Sequence, residues 1–397
     1  MRFKELLSRR NKALYFSFWD CLFPKNNTKV VIVVKNRTEF SGNLRVVTDV
    51  LLSENKHKIY VYKDGMIIPE IKTILESKGV TVLEGWSTKS LYHLLTSGIF
   101  IFSHAPRDAH ITKRCKNRII INLWHGVAFK TIENLMPDIS ETKQKQIETN
   151  AKLYDIIIAS SEADKQTNMS AFMIGEEKVK ITGLPRYDLL KESYPLDDFL
   201  TKQKKKLIAY KQNKTLILYA PTFREHNISA IEQITNEEWD MLTATLTNNN
   251  AIMGIRPHSY DTAIPTYIDN NEHFFWLPHS TFTETNLILQ QTDILLVDFS
   301  SIWIDYLLLH RPIVGFAKDF QHYLDNERGF VYDYQKTFPG DFTSSINTLT
   351  IKLEELLTYA TNETSYETTK TLFHQYPLNT DFSKLLSKVL PVKDYSC

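Results

Sequence analysis

Cysteine is scarce in this chain of 397 residues: Cys21, Cys115 and Cys397 are far apart and lack metal-ligand spacing. That excludes a disulfide framework and a structural zinc, and it fits a reducing compartment. No uninterrupted run of about 18 apolar residues occurs, so no membrane-spanning helix is expected. Charges interrupt Met1 to Arg10 and no small-residue cleavage site follows, so the N-terminus does not read as a secretory signal. Neither charge dominates, with 47 Lys and Arg against 46 Asp and Glu, so the global basic excess of a nucleic-acid binder is missing. Also absent are the Asp-x-Asp triplet of many metal-dependent diphosphate sites, the Gly-x-x-x-x-Gly-Lys loop and the Gly-x-Gly-x-x-Gly fingerprint. A diphosphate bound here would have to be neutralised by Arg, His and helix N-termini, with no essential metal and no cofactor.

What is present is a soluble globular composition, 43% hydrophobic and 23% charged, long enough for two domains that each bury a core. Short β-branched runs alternate with helical spacing almost throughout. Strands are expected at 30–34, 58–62, 99–103, 118–123, 155–159 and 179–182, then at 215–219, 251–255, 293–297 and 312–316. Helices are expected between them, for example at 44–52, 70–77, 162–173, 236–247, 284–291 and 301–309. This is the signature of βαβ units, and the fold class expected is α/β with two facing Rossmann-like lobes. The domains read as a basic, aromatic N-terminal segment at 1–24, a first lobe at 25–195 and a linker at 196–214. A second lobe at 215–375 and a terminal helix at 376–397 complete the chain.

Two segments allow two readings each. In 1–24, Arg2, Lys4, Arg9, Arg10 and Lys12 interleave with Phe3, Leu6, Leu7, Leu14, Tyr15, Phe16, Phe18, Trp19 and Phe23. Such a helix lies in a bilayer interface or packs on the first lobe. In the linker, Lys202, Lys204, Lys205, Lys206, Lys211 and Lys214 make a solvated helix or a phosphate-attracting cluster.

Chemistry-bearing residues gather at the ends of expected strands, where ligands of such sheets bind. Asp298-Phe299-Ser300-Ser301 closes one strand and opens a helix, so its backbone N–H groups and two hydroxyls suit a phosphate, or a serine caps the helix. Trp124-His125-Gly126, with Lys130 beyond it, puts His125 at a strand end as a candidate general base. Gly183-Leu184-Pro185-Arg186-Tyr187-Asp188 is a rigid turn with an Arg–Asp pair or a ligand contact. Tyr219-Ala220-Pro221-Thr222-Phe223-Arg224 offers a planar guanidinium fork for phosphate oxygens. Arg256-Pro257-His258 and the loop Asp325 to Phe330, with Arg328, complete the set.

Read in order, these pieces resemble the CDP-glycerol glycerophosphotransferase family, which includes teichoic acid primases and polymerases and related capsule enzymes. The resemblance rests on Trp124-His125-Gly126 with Lys130, Gly183-x-Pro-Arg186-x-Asp188, Tyr219-Ala-Pro-Thr-x-Arg224 and Arg256-x-His258. It continues through Thr292-Asp293-Ile294-Leu295, Asp298-x-Ser-Ser301 with Asp305, Arg311-Pro312 and Arg328-Gly329-Phe330. It covers roughly residues 115 to 340. The chain departs from the family where Ser259 follows His258 in place of proline, and where Phe299 and Phe223 replace the commoner Tyr and Trp.

The resemblance implies a glycosyltransferase B-type architecture without an essential metal, an acceptor-binding N-terminal lobe and a CDP-glycerol-binding C-terminal lobe. It implies transfer of glycerol phosphate to a carbohydrate or lipid-linked acceptor hydroxyl, with release of CMP. His125 is then the base, and His258, Ser300 and Ser301 engage the donor phosphates together with Arg224 and Arg256. Trp124, Gly126, Lys130, Arg186, Asp298 and Arg328 line the site. Attachment to an anionic membrane surface is implied, on the inner face of the cytoplasmic membrane. A CDP-ribitol-dependent enzyme, a polymerase or a non-catalytic nucleotide- or polysaccharide-binding protein are the rivals. With no extra module to hold a growing polymer, addition of one or few units is expected over processive polymerisation.

Overall fold

The computed structural model describes residues 8–35, 40–224, 228–258, 264–327, 329–358 and 366–390. The chain forms two compact units. The first comprises Met1–Val127, Ile132–Asp188 and His374–Cys397, and the second Ala128–Thr131 and Leu189–Phe373.

The first unit is built on a parallel sheet of seven strands: β1 (Asn26–Val34), β2 (Lys58–Lys63), β3 (Thr81–Glu84), β4 (Ser97–Phe102), β5 (Ile119–Asn122), β6 (Ile156–Ala159) and β7 (Val179–Ile181), in the order β3-β2-β1-β4-β5-β6-β7. The second unit carries β8 (Thr215–Ala220), β9 (Ala251–Ile255), β10 (Phe274–Trp276), β11 (Ile294–Val297), β12 (Ile313–Phe316) and β13 (Asp341–Thr343), also parallel, in the order β10-β9-β8-β11-β12-β13. The central strands are unbroken apolar runs, as in Val30 to Val34 and Ile294 to Val297, because helices cover both faces of a parallel sheet. In each unit the strand order reverses beside the first strand, between β1 and β4 and between β8 and β11. Ligands of doubly wound sheets bind beyond the strand C-terminal ends at such switch points.

Three strands were not expected from the sequence: β3, β10 and β13, which are the short edges of the two sheets. Three or four residues with one half-open face carry little periodicity to read. The unit boundaries also differ from the expected ones. Most of the expected linker is the helix Asp198–Lys211, which caps itself through Asp197, buries Leu200 and Leu207, and belongs to the second unit. The terminal helix Phe382–Val389 belongs to the first unit, where Phe382 packs on Tyr187 and Ser383 donates to Asp188 at 2.7 Å.

The helix Arg9–Asp20 packs on the first unit, as one of its two readings expected; Arg2, Phe3, Lys4, Leu6 and Leu7 of that segment lie outside the described residues. Its inner face buries Phe16 and delivers Asp20 to Arg118, which donates at 2.8 Å and is almost wholly buried. Lys25 approaches the same carboxylate at 3.1 Å, and Ser17 bonds Thr112. Its outer face leaves Leu14, Tyr15, Phe18 and Leu22 at 59, 44, 67 and 63% exposure. Among the described residues no helix is long and apolar enough to cross a membrane.

Asp20→Ala strands the buried Arg118 and Lys25 together. Removing one partner of such a group costs about 3–5 kcal/mol. The expected outcome is a lower urea midpoint for the first unit, with early hydrogen exchange in Arg9–Asp20.

Candidate active site

Beside the switch point of the first sheet, β5 runs into a turn with two residues at positive φ. Trp124 has φ +48° and Gly126 φ +148°. That φ is what requires glycine at 126; a Cβ there would also lie 2.9 Å from Arg186 Nη2, the end of a long side chain that would have to shift. Side-chain amides hold the turn. Asn122 Oδ1 accepts from the Trp124 N–H at 2.8 Å. Asn43, buried at the start of helix Asn43–Glu54, donates to the carbonyls of Leu123 and Trp124 at 3.1 and 3.0 Å and accepts from the Arg186 N–H. Arg186 closes the ring by donating to the His125 carbonyl at 2.6 Å.

The turn presents His125 between two other rings: its centroid is 4.1 Å from Trp124 and 4.4 Å from His104, which stacks on it at 13°. His125 Nδ1 lies 3.1 Å from the Ser103 carbonyl, which can only accept, so Nδ1 carries the proton and Nε2 the lone pair. The residue keeps an exposed edge, yet the packed ring is poorly hydrated. That desolvation lowers its pKa to about 4; the bond to Ser103 opposes the shift, and Arg186 and Lys35 reinforce it. His104 is pushed down as well, by burial first and then by His125. The histidines are therefore neutral near pH 7.

At the switch point of the second sheet, between β8 and β11, a buried carboxylate organises the strand ends. Asp298, fully buried at the end of β11, accepts from the N–H and hydroxyl of Thr222 at 2.9 and 2.7 Å. It also accepts from the N–H groups of Phe299 and Ser300, and from Arg224 at 2.8 Å. Arg224 directs its remaining donors to Asp319, with bonds of 2.7 and 3.0 Å, and to the Thr222 carbonyl. The rings of Phe299 and Tyr323 cover it at 5.1 and 5.0 Å. Burial alone would lower its pKa; Asp298 and Asp319 reverse that and raise it, so its charge is permanent.

Arg256 is buried too, and holds the loop after β10. It donates to the carbonyls of Leu277 and Phe282 at 2.9 and 2.6 Å, to Thr285 at 3.1 Å, and lies 2.8 Å from His279 Nδ1. Lacking a carboxylate at contact, it has its pKa lowered to about 9 by desolvation. His258 is half-exposed, with its ring 5.5 Å from Phe223. Ser300 and Ser301 are half-exposed, and their hydroxyls make no hydrogen bond among the described residues. Ser301 is the N-cap residue of helix Ile302–Tyr306 by position, but its side chain does not cap.

The structure thus brings His125 together with Trp124, Gly126 and Arg186, and places His258, Ser300, Ser301 and Asp298 in the second unit. Two expectations change. Arg224 and Arg256 were expected to offer forks to phosphate, but their forks are engaged inside the protein, where they fix the surrounding loops. Lys130 was expected beside His125, yet it pairs in an antiparallel bridge with Phe330 in the second unit, its ammonium 5.6 Å from the Tyr323 ring. Arg328 lies outside the described residues. Sequence reasoning missed His104 and His279. Both follow strand ends, which was the one signal available for them. Arg224→Met should cost about 3–5 kcal/mol by leaving Asp298 and Asp319 buried without their cation. Thermal denaturation should reveal this as a fall in melting temperature of the second unit.

Known proteins place this geometry. The chain is 26% identical over 351 residues to the teichoic acid poly(glycerol phosphate) polymerase of Bacillus spizizenii strain W23, covering 86% of each chain. It is 27% identical over 348 residues to the teichoic acid poly(ribitol-phosphate) polymerase of the same strain, covering 84% of this chain and 52% of the relative, about half its length. Its fold is similar to that of a variant of the wall teichoic acid polymerase TagF soaked with CDPG, with a TM-score of 0.77 at 19% identity over 96% of this chain and 92% of the other. Two α/β units with parallel sheets, as in that polymerase, are the architecture expected from the sequence. The family model for CDP-glycerol:poly(glycerophosphate) glycerophosphotransferase matches residues 14–381, nearly the whole of the described chain, and the protein belongs to that family.

Proposed function

We propose that this chain transfers glycerol phosphate from CDP-glycerol to a hydroxyl of a carbohydrate or lipid-linked acceptor, releasing CMP, in the synthesis of a teichoic-acid-like or capsular polymer. The observation that carries the reading is His125, a neutral imidazole with its proton fixed on Nδ1 and its Nε2 without a hydrogen bond among the described residues. Such a nitrogen is prepared to accept a proton from an attacking hydroxyl.

In this reading the acceptor oxygen attacks the phosphorus that bears glycerol. The new P–O bond forms as the bond to the CMP phosphate breaks, and the acceptor proton passes to His125 Nε2 and then to solvent. The donor is held in the second unit. There the hydroxyls of Ser300 and Ser301, which make no hydrogen bond among the described residues, meet the phosphate oxygens with His258, and the buried cation Arg256, which has no carboxylate at contact, favours negative charge nearby. Phosphoryl transfer depends mainly on such positioning and charge stabilisation. Metal is given no part, because these groups supply the donors. Glycerol is chosen over ribitol because the family description names it; competition between CDP-glycerol and CDP-ribitol decides the polyol.

CMP release from CDP-glycerol with an acceptor extract tests the reading directly. His125→Ala should lower the rate by about 10² to 10⁴ while leaving donor affinity in calorimetry unchanged. EDTA should leave the wild-type rate unaltered. The pH profile follows from the sign of the shift. His125 acts as a base only when neutral, and its pKa is lowered to about 4. The acid limb of kcat/KM should therefore lie well below the ordinary histidine range, with a plateau from about pH 8 to 5.

The outer face of helix Arg9–Asp20 supports peripheral attachment at the cytoplasmic membrane surface, since Arg9 and Arg10 flank the exposed Leu14, Tyr15 and Phe18. The double variant Leu14→Ser, Phe18→Ser should lose co-sedimentation with anionic vesicles. Because both side chains are exposed, its melting temperature should stay at the wild-type value.

A further inference from the structure

Between Lys202 and Lys214 the sequence holds six lysines and no acid, in a chain whose net charge is only +1. Helix Asp198–Lys211 turns Leu200, Gln203 and Leu207 inward, which leaves Lys202, Lys205 and Lys206 on its exposed surface. Lys204 and Lys211 are paired, with Glu192 and Asp293. Lys202, Lys205, Lys206 and Lys214 form no ion pair among the described residues, and Asp198, one turn before Lys202, is not in ion-pair contact with it. Like charges three and four residues apart destabilise a helix, so the spacing of Lys202 against Lys205 and Lys206 carries a cost that no carboxylate at ion-pair distance offsets among the described residues.

The strip is also rigidly mounted. The Lys206 ammonium lies 5.7 Å from the Phe282 ring and 5.9 Å from Tyr210, which stacks on Phe275 at 4.8 Å. Gln203 bonds the backbone N–H of Thr283 at 3.0 Å. Phe282 and Thr283 belong to the loop that Arg256 fixes and that carries His279, so the lysines adjoin the donor-side machinery within the second unit.

We propose that this lysine strip docks a polyanionic phosphodiester chain, the acceptor or growing polymer, through several of its phosphates at once. Lys202 and Lys206 are one helical turn apart, about 6 Å along the axis, which suits a chain that repeats its charge along its length. A bilayer is the poorer fit, because the apolar side of this helix is turned inward. Only Ile208 and Tyr210 are exposed beside the lysines, and an interfacial helix needs an apolar face to sink. The polymer's identity rests on the proposed transfer reaction, but docking is measured without catalysis.

The test titrates fluorescently labelled, deacylated poly(glycerol phosphate) into the full chain and into the triple variant K202E/K205E/K206E at several salt concentrations, with circular dichroism to confirm folding. The variant should bind roughly tenfold or more weakly, and its plot of log affinity against log salt should be shallower by at most about 2. Single addition to a short acceptor should proceed at the wild-type rate. Equal affinity in the two proteins, or no polymer binding by the wild type, overturns the inference. So does loss of binding to anionic vesicles with polymer binding retained, which would make the strip a bilayer contact. Loss of polymer affinity in the variant, alongside a wild type that releases no CMP from CDP-glycerol, would leave docking standing and remove the transfer reading instead.

Discussion

The Asp298 carboxylate is the constraint on which the second unit turns. A fully buried carboxylate has to be met by donors from every side, and it recruits them from two separate strand ends: Thr222 after β8, and Phe299 and Ser300 after β11. The bonds pin those ends side by side where the strand order reverses. Ser300 is thereby held by its backbone N–H, and its hydroxyl, like that of Ser301, makes no hydrogen bond among the described residues. Arg224 brings the compensating charge, Asp319 shares it, and Tyr334 donates to the Asp298 carbonyl at 2.6 Å. The price of burying three charges is high, and it secures a loop geometry that hydrophobic packing alone would leave loose.

The first unit solves the same problem without a buried carboxylate. Asn43 and Asn122 span the strand ends with amides that donate and accept together, and the Arg186 guanidinium completes the hold on the turn at Trp124 and Gly126. The difference matters for the chemistry proposed here. A carboxylate next to His125 would raise its pKa, whereas desolvation first, and then the Arg186 and Lys35 cations, keep it low against the bond to the Ser103 carbonyl.

The central strands were legible because a parallel strand buried on both faces is an unbroken apolar run, as in Val30 to Val34. The junction motifs were legible because Gly, Pro, Asp and Ser punctuate them. Edge strands such as Phe274–Trp276 were not, since they lack both length and alternation. The arginines were misread for a related reason. A sequence shows that Arg224 follows a strand, but not that Asp298 and Asp319, 74 and 95 residues further on, will claim its donors. His104 illustrates the converse, because its significance comes from stacking on a residue of the next strand in the sheet. Long-range pairing decided each of these cases, and one-dimensional patterns do not carry it.

The return of the chain after Phe373 to the first unit has a consequence for biogenesis. The second unit is mostly a single continuous stretch, Leu189–Phe373, inserted between segments of the first. During synthesis it can collapse around its own sheet as soon as it clears the ribosome. The first unit must wait: its Gly183 sits against Phe382 and its Ser160 bonds Gln375, partners that emerge some 200 residues later. Until then Tyr187 and the floor beneath Arg186 are uncovered. Maturation therefore runs from the middle of the polypeptide outward, and the half bearing His125 is the last to be sealed.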